Sequence, residues 1–114
     1  MTIYKVIKEE KTMTIYKELS RHAFTTELRE ASINGTDFSH EGTHALYYYL
    51  KKQSKAQGAP IIFEKEEIHS DWFEGDLRDV LSALRISTLE NLKERTQVIE
   101  LSGGRIIYKS FYLV

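Results

Sequence analysis

Apolar and polar positions alternate in blocks along this chain, and the period of each block predicts the element it forms. Met1-Thr-Ile-Tyr-Lys5 returns as Met13-Thr-Ile-Tyr-Lys17, and both copies are rich in strand formers. The polar Lys8-Glu9-Glu10-Lys11 between them makes an antiparallel hairpin the first reading, with a strand running straight into a helix as the alternative. Ser20 caps a helix reaching about Ser32, with Ala23, Phe24, Leu28 and Ala31 on its buried stripe. Asn34-Gly35 then makes a turn. Asp37 or Ser39 caps a second helix that turns Ala45, Leu46, Tyr49 and Leu50 inward and stops near Gly58, just before Pro60.

Ile61-Ile62-Phe63 reads as a short strand. A helical region follows from Glu66 to about Leu84, divided near Glu74-Gly75-Asp76. A last helix from Thr88 to about Thr96 presents Leu89 and Leu92 on one side. The final segment, 97–114, is expected to be a β-hairpin turning at Gly103-Gly104, because a two-residue type I′ turn needs positive φ at both positions. That register pairs Leu101 with Ile106 and Ile99 with Tyr108 on a buried face, and leaves Arg105 and Lys109 on a mixed one. The predicted class is α+β: an N-terminal β-rich arm and helix (1–38) leading into a core unit (40–114) that closes with the C-terminal β-hairpin.

Composition changes this picture little. A 114-residue chain with 41% hydrophobic and 29% charged residues is one globular domain by the usual priors. The absence of cysteine excludes disulfides, thiolate metal sites and thiol nucleophiles. No apolar run approaches the ~18–20 residues that span a bilayer, and the N-terminus lacks a signal-peptide pattern, so the expected location is cytoplasmic with no membrane partner. The net charge is -1, yet its distribution is uneven. Glu64, Glu66, Glu67, Asp71, Glu74, Asp76 and Asp79 face only Lys65 and Arg78, whereas residues 81–114 are mildly basic.

The order helix, short strand, helix, helix, strand, turn, strand from residue 40 onward is that of a winged helix. Ala45-Leu-Tyr-Tyr-Tyr-Leu50 with Gly58-Ala-Pro-Ile-Ile-Phe63 resembles the first helix and strand of winged-helix domains in phage and plasmid replication and regulatory proteins. Leu81-Ser-Ala-Leu-Arg-Ile-Ser-Thr-Leu-Glu-Asn-Leu92 looks like a helix-turn-helix core, with Arg85-Ile86-Ser87 where that family often has Gly-hydrophobic-Ser. The resemblance implies a small non-catalytic regulator that binds DNA. Arg85, Asn91 and Arg95 would lie at the recognition helix, Arg105 and Lys109 on the wing, and Lys51, Lys52 and Lys55 on the earlier helix. Glu90 and Glu94 also point outward there and oppose a polyanion.

Two further readings stand beside it. Glu64, Glu66, Glu67, Asp71, Trp72, Glu74 and Asp76 form an acidic, aromatic stretch suited to a basic protein partner, as in an inhibitory module of phage or mobile-element type. Tyr47-Tyr48-Tyr49 cannot all face inward, with Tyr49 expected in the core and Tyr47 or Tyr48 left to serve an interface, a homodimer included. The one catalytic hint is His40-Glu41-Gly42-Thr43-His44, a literal H-E-x-x-H that resembles the zinc-binding helix of zincin peptidases. There His40 and His44 would hold zinc, Glu41 would activate its water, and His69, Glu66 or Asp71 would supply a third ligand. The competing reading makes Glu41 a favourable charge at a helix N-terminus and the histidines surface residues, with no cofactor.

Overall fold

The structure is a computed structural model that describes residues 3–10, 13–30 and 38–111. Among these described residues it is an α+β fold of five α-helices and two three-stranded sheets. The expected Asn34-Gly35 turn, together with Ala31 and the Asp37 cap, lies outside the described residues.

The repeated segments form β1 (Ile3–Glu10) and β2 (Met13–Glu18), an antiparallel pair with an irregularity between Val6 and Lys8. Helix α1 (Arg21–Glu30) follows, its first turn receiving the Ser20 hydroxyl at the Ala23 amide. Helix α2 (His40–Gln57) starts at the Ser39 cap, whose hydroxyl accepts from the Gly42 amide, and stops at Gly58 in the left-handed conformation. Its inward face is Thr43, Leu46, Tyr47, Leu50 and Ser54. Of the expected alternatives Tyr47 is thus the core residue and Tyr48, 53% exposed, the outward one, while Tyr49, expected in the core, is only half-buried. Phe24 sets this choice, because its ring meets Tyr47 and Phe63 edge-on at 5.3 and 5.2 Å.

Strand β3 (Ile61–Phe63) runs parallel to β1, giving a first sheet of order β2-β1-β3. This corrects its expected place as the small strand of a winged-helix unit. The helical region expected over 66–84 is also corrected. It resolves into α3 (Lys65–Asp71), strand β4 (Trp72–Asp76) and α4 (Leu77–Leu84). The strand forms because Trp72-Phe73-Glu74-Gly75-Asp76 finds a complete antiparallel partner in β6 (Arg105–Lys109), and long-range pairing overrides the helical spacing. Helix α5 (Leu89–Arg95) begins at the Thr88 cap, and β5 (Val98–Glu100) completes a second sheet of order β4-β6-β5.

The terminal hairpin exists in a different register. Val98 pairs with Tyr108, Ile99 with Ile107 and Glu100 with Ile106, one residue from the expected pairing. The cause is the turn. Ser102–Gly104 form a single 3-10 turn with both glycines at positive φ, and the Leu101 amide donates across it to the Arg105 carbonyl at 2.9 Å. Three loop residues, not two, shift every pair by one. Both faces of the sheet are consequently apolar. Ile99, Leu101 and Ile107 join the large core with α1, α2 and the first sheet, whereas Val98, Ile106 and Tyr108 pack with Val80, Ile86 and Leu92 of the α4–α5 unit. Helix α2 touches β1 and β3 of one sheet and β5 of the other, so it lies between them.

Candidate functional site

Helices α4 and α5 meet at Arg85-Ile86-Ser87. Arg85 caps α4 with φ 57°, the left-handed conformation that a glycine would adopt at no cost, and its amide bonds the Leu81 and Ser82 carbonyls. Ile86 then turns into the smaller core. Ser87 and Thr88 hold the start of α5, since Asn91 donates its side-chain amide to the Ser87 hydroxyl at 3.0 Å and its backbone amide to Thr88. Arg85, Ser87, Asn91, Glu94 and Arg95 thereby border one open cleft of about 270 Å³ along the α4–α5 turn and α5. Arg85 and Arg95 are exposed, and neither forms an ion pair among the described residues.

The other expected DNA-contacting cations are placed differently. Arg105 is held by Glu74, with Nε and Nη2 at 3.2 and 2.9 Å from one carboxylate oxygen. Lys109 shares a groove with Asp71, Glu64 and Trp72, away from the helix-turn-helix. On α5 itself Lys93 is spent on Glu100. Lys51, Lys52 and Lys55 line the exposed side of α2, where Lys51 lies over the Tyr47 ring.

The acidic stretch is thinner than it looked. Trp72 is buried and stacks edge-on against Tyr49, and the Asp76 carboxylate caps α4 at the Arg78 amide. The Glu74 side chain is 0% exposed. Its second oxygen accepts from the Ser39 amide and hydroxyl at 3.0 and 3.1 Å, so it closes the N-terminus of α2 as well as holding Arg105. What remains open is Glu64, Glu66, Glu67 and Asp79, with Asp71 half-exposed.

The H-E-x-x-H segment is occupied by the same closure. Glu41 accepts from the Ser102 hydroxyl at 2.7 Å and the Ser102 amide at 3.0 Å, which ties α2 to the hairpin turn. Those two donors, the hydroxyl foremost, hold the Glu41 carboxyl below the usual carboxylate range. Gly42 has no room for a side chain, because a Cβ there would lie 1.9 Å from the Glu74 carboxylate oxygen. His40 and His44 do come together, with ring centroids 4.4 Å apart. His69 does not join them: it is 3% exposed, it bonds the Leu28 carbonyl through Nε2, and its ring lies against Phe38. No group of three or more metal-binding side chains converges among the described residues.

Sequence reasoning passed over α1. His22, Thr25, Thr26 and Arg29, spaced for one helical face, line a cleft of about 370 Å³ closed on its other side by His40. The signal was that spacing, which needed the partner helix to become a site. Among the described residues no helix is long and apolar enough to cross a membrane. No family model matches this chain, and comparison with curated proteins and with solved structures finds no match either.

Proposed function

We propose that the protein is a small non-catalytic regulator that binds duplex DNA through the α4–α5 turn and the exposed side of α5. Support comes first from topology. The run β4–α4–α5–β5–β6, with β6 between β4 and β5, follows the order of a winged-helix unit over residues 72–109. The observation that carries the reading is the shared cleft of Arg85, Ser87, Asn91, Glu94 and Arg95, which sets two guanidinium groups, unpaired among the described residues, and an amide against a single carboxylate along the α4–α5 turn and α5. Guanidinium groups suit phosphates and guanine edges, and an amide suits adenine. With Arg105 committed to Glu74, the hairpin serves as a support and the grip belongs to the helices. A cytoplasmic regulator of phage or mobile-element type fits this role.

Fluorescence anisotropy with a labelled duplex tests it. Affinity should fall steeply with salt, and Arg85→Ala or Arg95→Ala should each weaken binding several-fold and lower the salt slope by about one. Absence of binding at low salt overturns the proposal.

A second reading has its own observation. Ile62, 39% exposed on β3, borders a groove of about 180 Å³ with Glu64, Glu67 and Asp71 beside it. An apolar anchor rimmed by carboxylates suits a basic peptide. Charge reversal at Glu64, Glu67 and Asp71 should then change which proteins are recovered in a pull-down, and unchanged recovery ends this reading.

A further inference from the structure

Helices α1 and α2 pack antiparallel, with Arg29 meeting His40 at one end and Arg21 meeting Tyr48 at the other. Between them lies the cleft of His22, Thr25, Thr26, Arg29 and His40. Its lining holds a permanent cation and two imidazoles, and it includes no carboxylate among the described residues. On α1, Glu27 is paired with Lys5. Glu41 and Glu74, the acids at the first turn of α2 and packed against it, are held by Ser102 and by Ser39 with Arg105.

The hydrogen bonds fix which atoms can act. Arg29 is always protonated, so at 3.1 Å its Nη1 donates and His40 Nδ1 accepts. Neutral His40 then carries its proton on Nε2 and offers a second donor. The Thr25 hydroxyl is spent on the His22 carbonyl, whereas among the described residues no such bond holds the Thr26 hydroxyl. Arg29 keeps its remaining N–H donors in a planar fork, the geometry that matches phosphate oxygens.

We propose that this cleft binds a small phosphorylated ligand, with the phosphate seated between Arg29, His40 Nε2, His22 and Thr26. About 370 Å³ is more than a phosphate fills, so the site leaves room for the organic part of a phosphate monoester. A divalent cation is the weaker occupant. His40 and His44 stand side by side, but burial first, then the charges of His40, Arg21 and Arg29, push the His44 proton affinity down, and the two guanidinium groups would repel a metal as well.

Isothermal titration and histidine-ring NMR on the full chain at pH 6.5 decide the matter, with inorganic phosphate, adenosine monophosphate, adenosine and zinc chloride as probes. Phosphate and the monophosphate should bind with dissociation constants of about a millimolar or tighter and move the His22 and His40 ring signals. Arg29→Ala should weaken both by roughly tenfold, as loss of a charge-assisted pair predicts, with an unchanged melting temperature because Arg29 is exposed. Binding of adenosine as tight as that of its monophosphate overturns the assignment. So does zinc binding at His40 and His44 without a phosphate response, or phosphate binding that survives Arg29→Ala. Arg85→Ala leaves this site intact while disabling the proposed DNA contact, so the two proposals fail separately.

Discussion

Gly42 shows how one residue can invert the meaning of a motif. In His40-Glu41-Gly42-Thr43-His44 the glycine reads as a weak point in a catalytic helix, whereas the buried Glu74 carboxylate requires it. Alanine is the better helix former by about 1 kcal/mol, yet its methyl would strike Glu74 Oε1 and displace a carboxylate fixed by Ser39 and Arg105. Gly42→Ala should therefore destabilise the fold by about 1–3 kcal/mol in urea unfolding. In the Glu74→Ala background the same change should cost nothing further, and an additive double mutant would contradict the contact. Arg85 is the converse case. Its left-handed backbone is strained for any residue with a Cβ, so Arg85→Gly should hold or raise the melting temperature while weakening DNA binding as much as Arg85→Ala does. The sequence pattern located this turn and its missing glycine; that the arginine adopts the glycine's conformation is a property of the folded turn alone.

Elements with strong local signals were legible, and those decided by distant partners were not. Ser20 caps its helix as the sequence pattern implies, Ser39 is the one of its two expected caps among the described residues, and Thr88, read as the start of the last helix, caps it, because capping is a contact within one turn. Strand β4 escaped because Trp72 and Phe73 fit a helical spacing until β6 supplies a ladder. The hairpin register escaped because Gly103-Gly104 is compatible with loops of two and of three residues, and Ser102, which joins the turn, is bound by Glu41 from 61 residues away in sequence. That Glu41–Ser102 contact makes an element-scale prediction about acid. The folded-state carboxyl is depressed, so its contribution is complete above the usual carboxylate pKa and is lost as pH falls through the lower folded value. Stability measured from about pH 5 to pH 3 should fall less steeply in Glu41→Gln than in the parent chain. Equal slopes would show that the contact does not persist in solution.

At the scale of the whole molecule, β6 contributes to both hydrophobic cores. Ile107 faces the core that reaches from Ile3 through α1 and α2, and Ile106, the next residue, faces the core of α4 and α5. Both are essentially buried, at 0% and 2% exposure, so truncating either should cost about 2–5 kcal/mol by loss of packing. The costs should nonetheless be distributed differently. A cavity beneath Ile106 loosens Val80, Ile86 and Leu92 and thus the helix-turn-helix proposed to meet DNA, while leaving Phe24, Leu46 and Tyr47 packed. Hydrogen exchange should then rise in α4 and α5 for Ile106→Ala, and in α1 and α2 for Ile107→Ala. Under the same logic Ile106→Ala should weaken DNA binding and spare phosphate binding at Arg29, with the reverse for Ile107→Ala. If both variants loosen all four helices equally, the two cores unfold as one unit, and the sheet transmits rather than separates the two candidate sites.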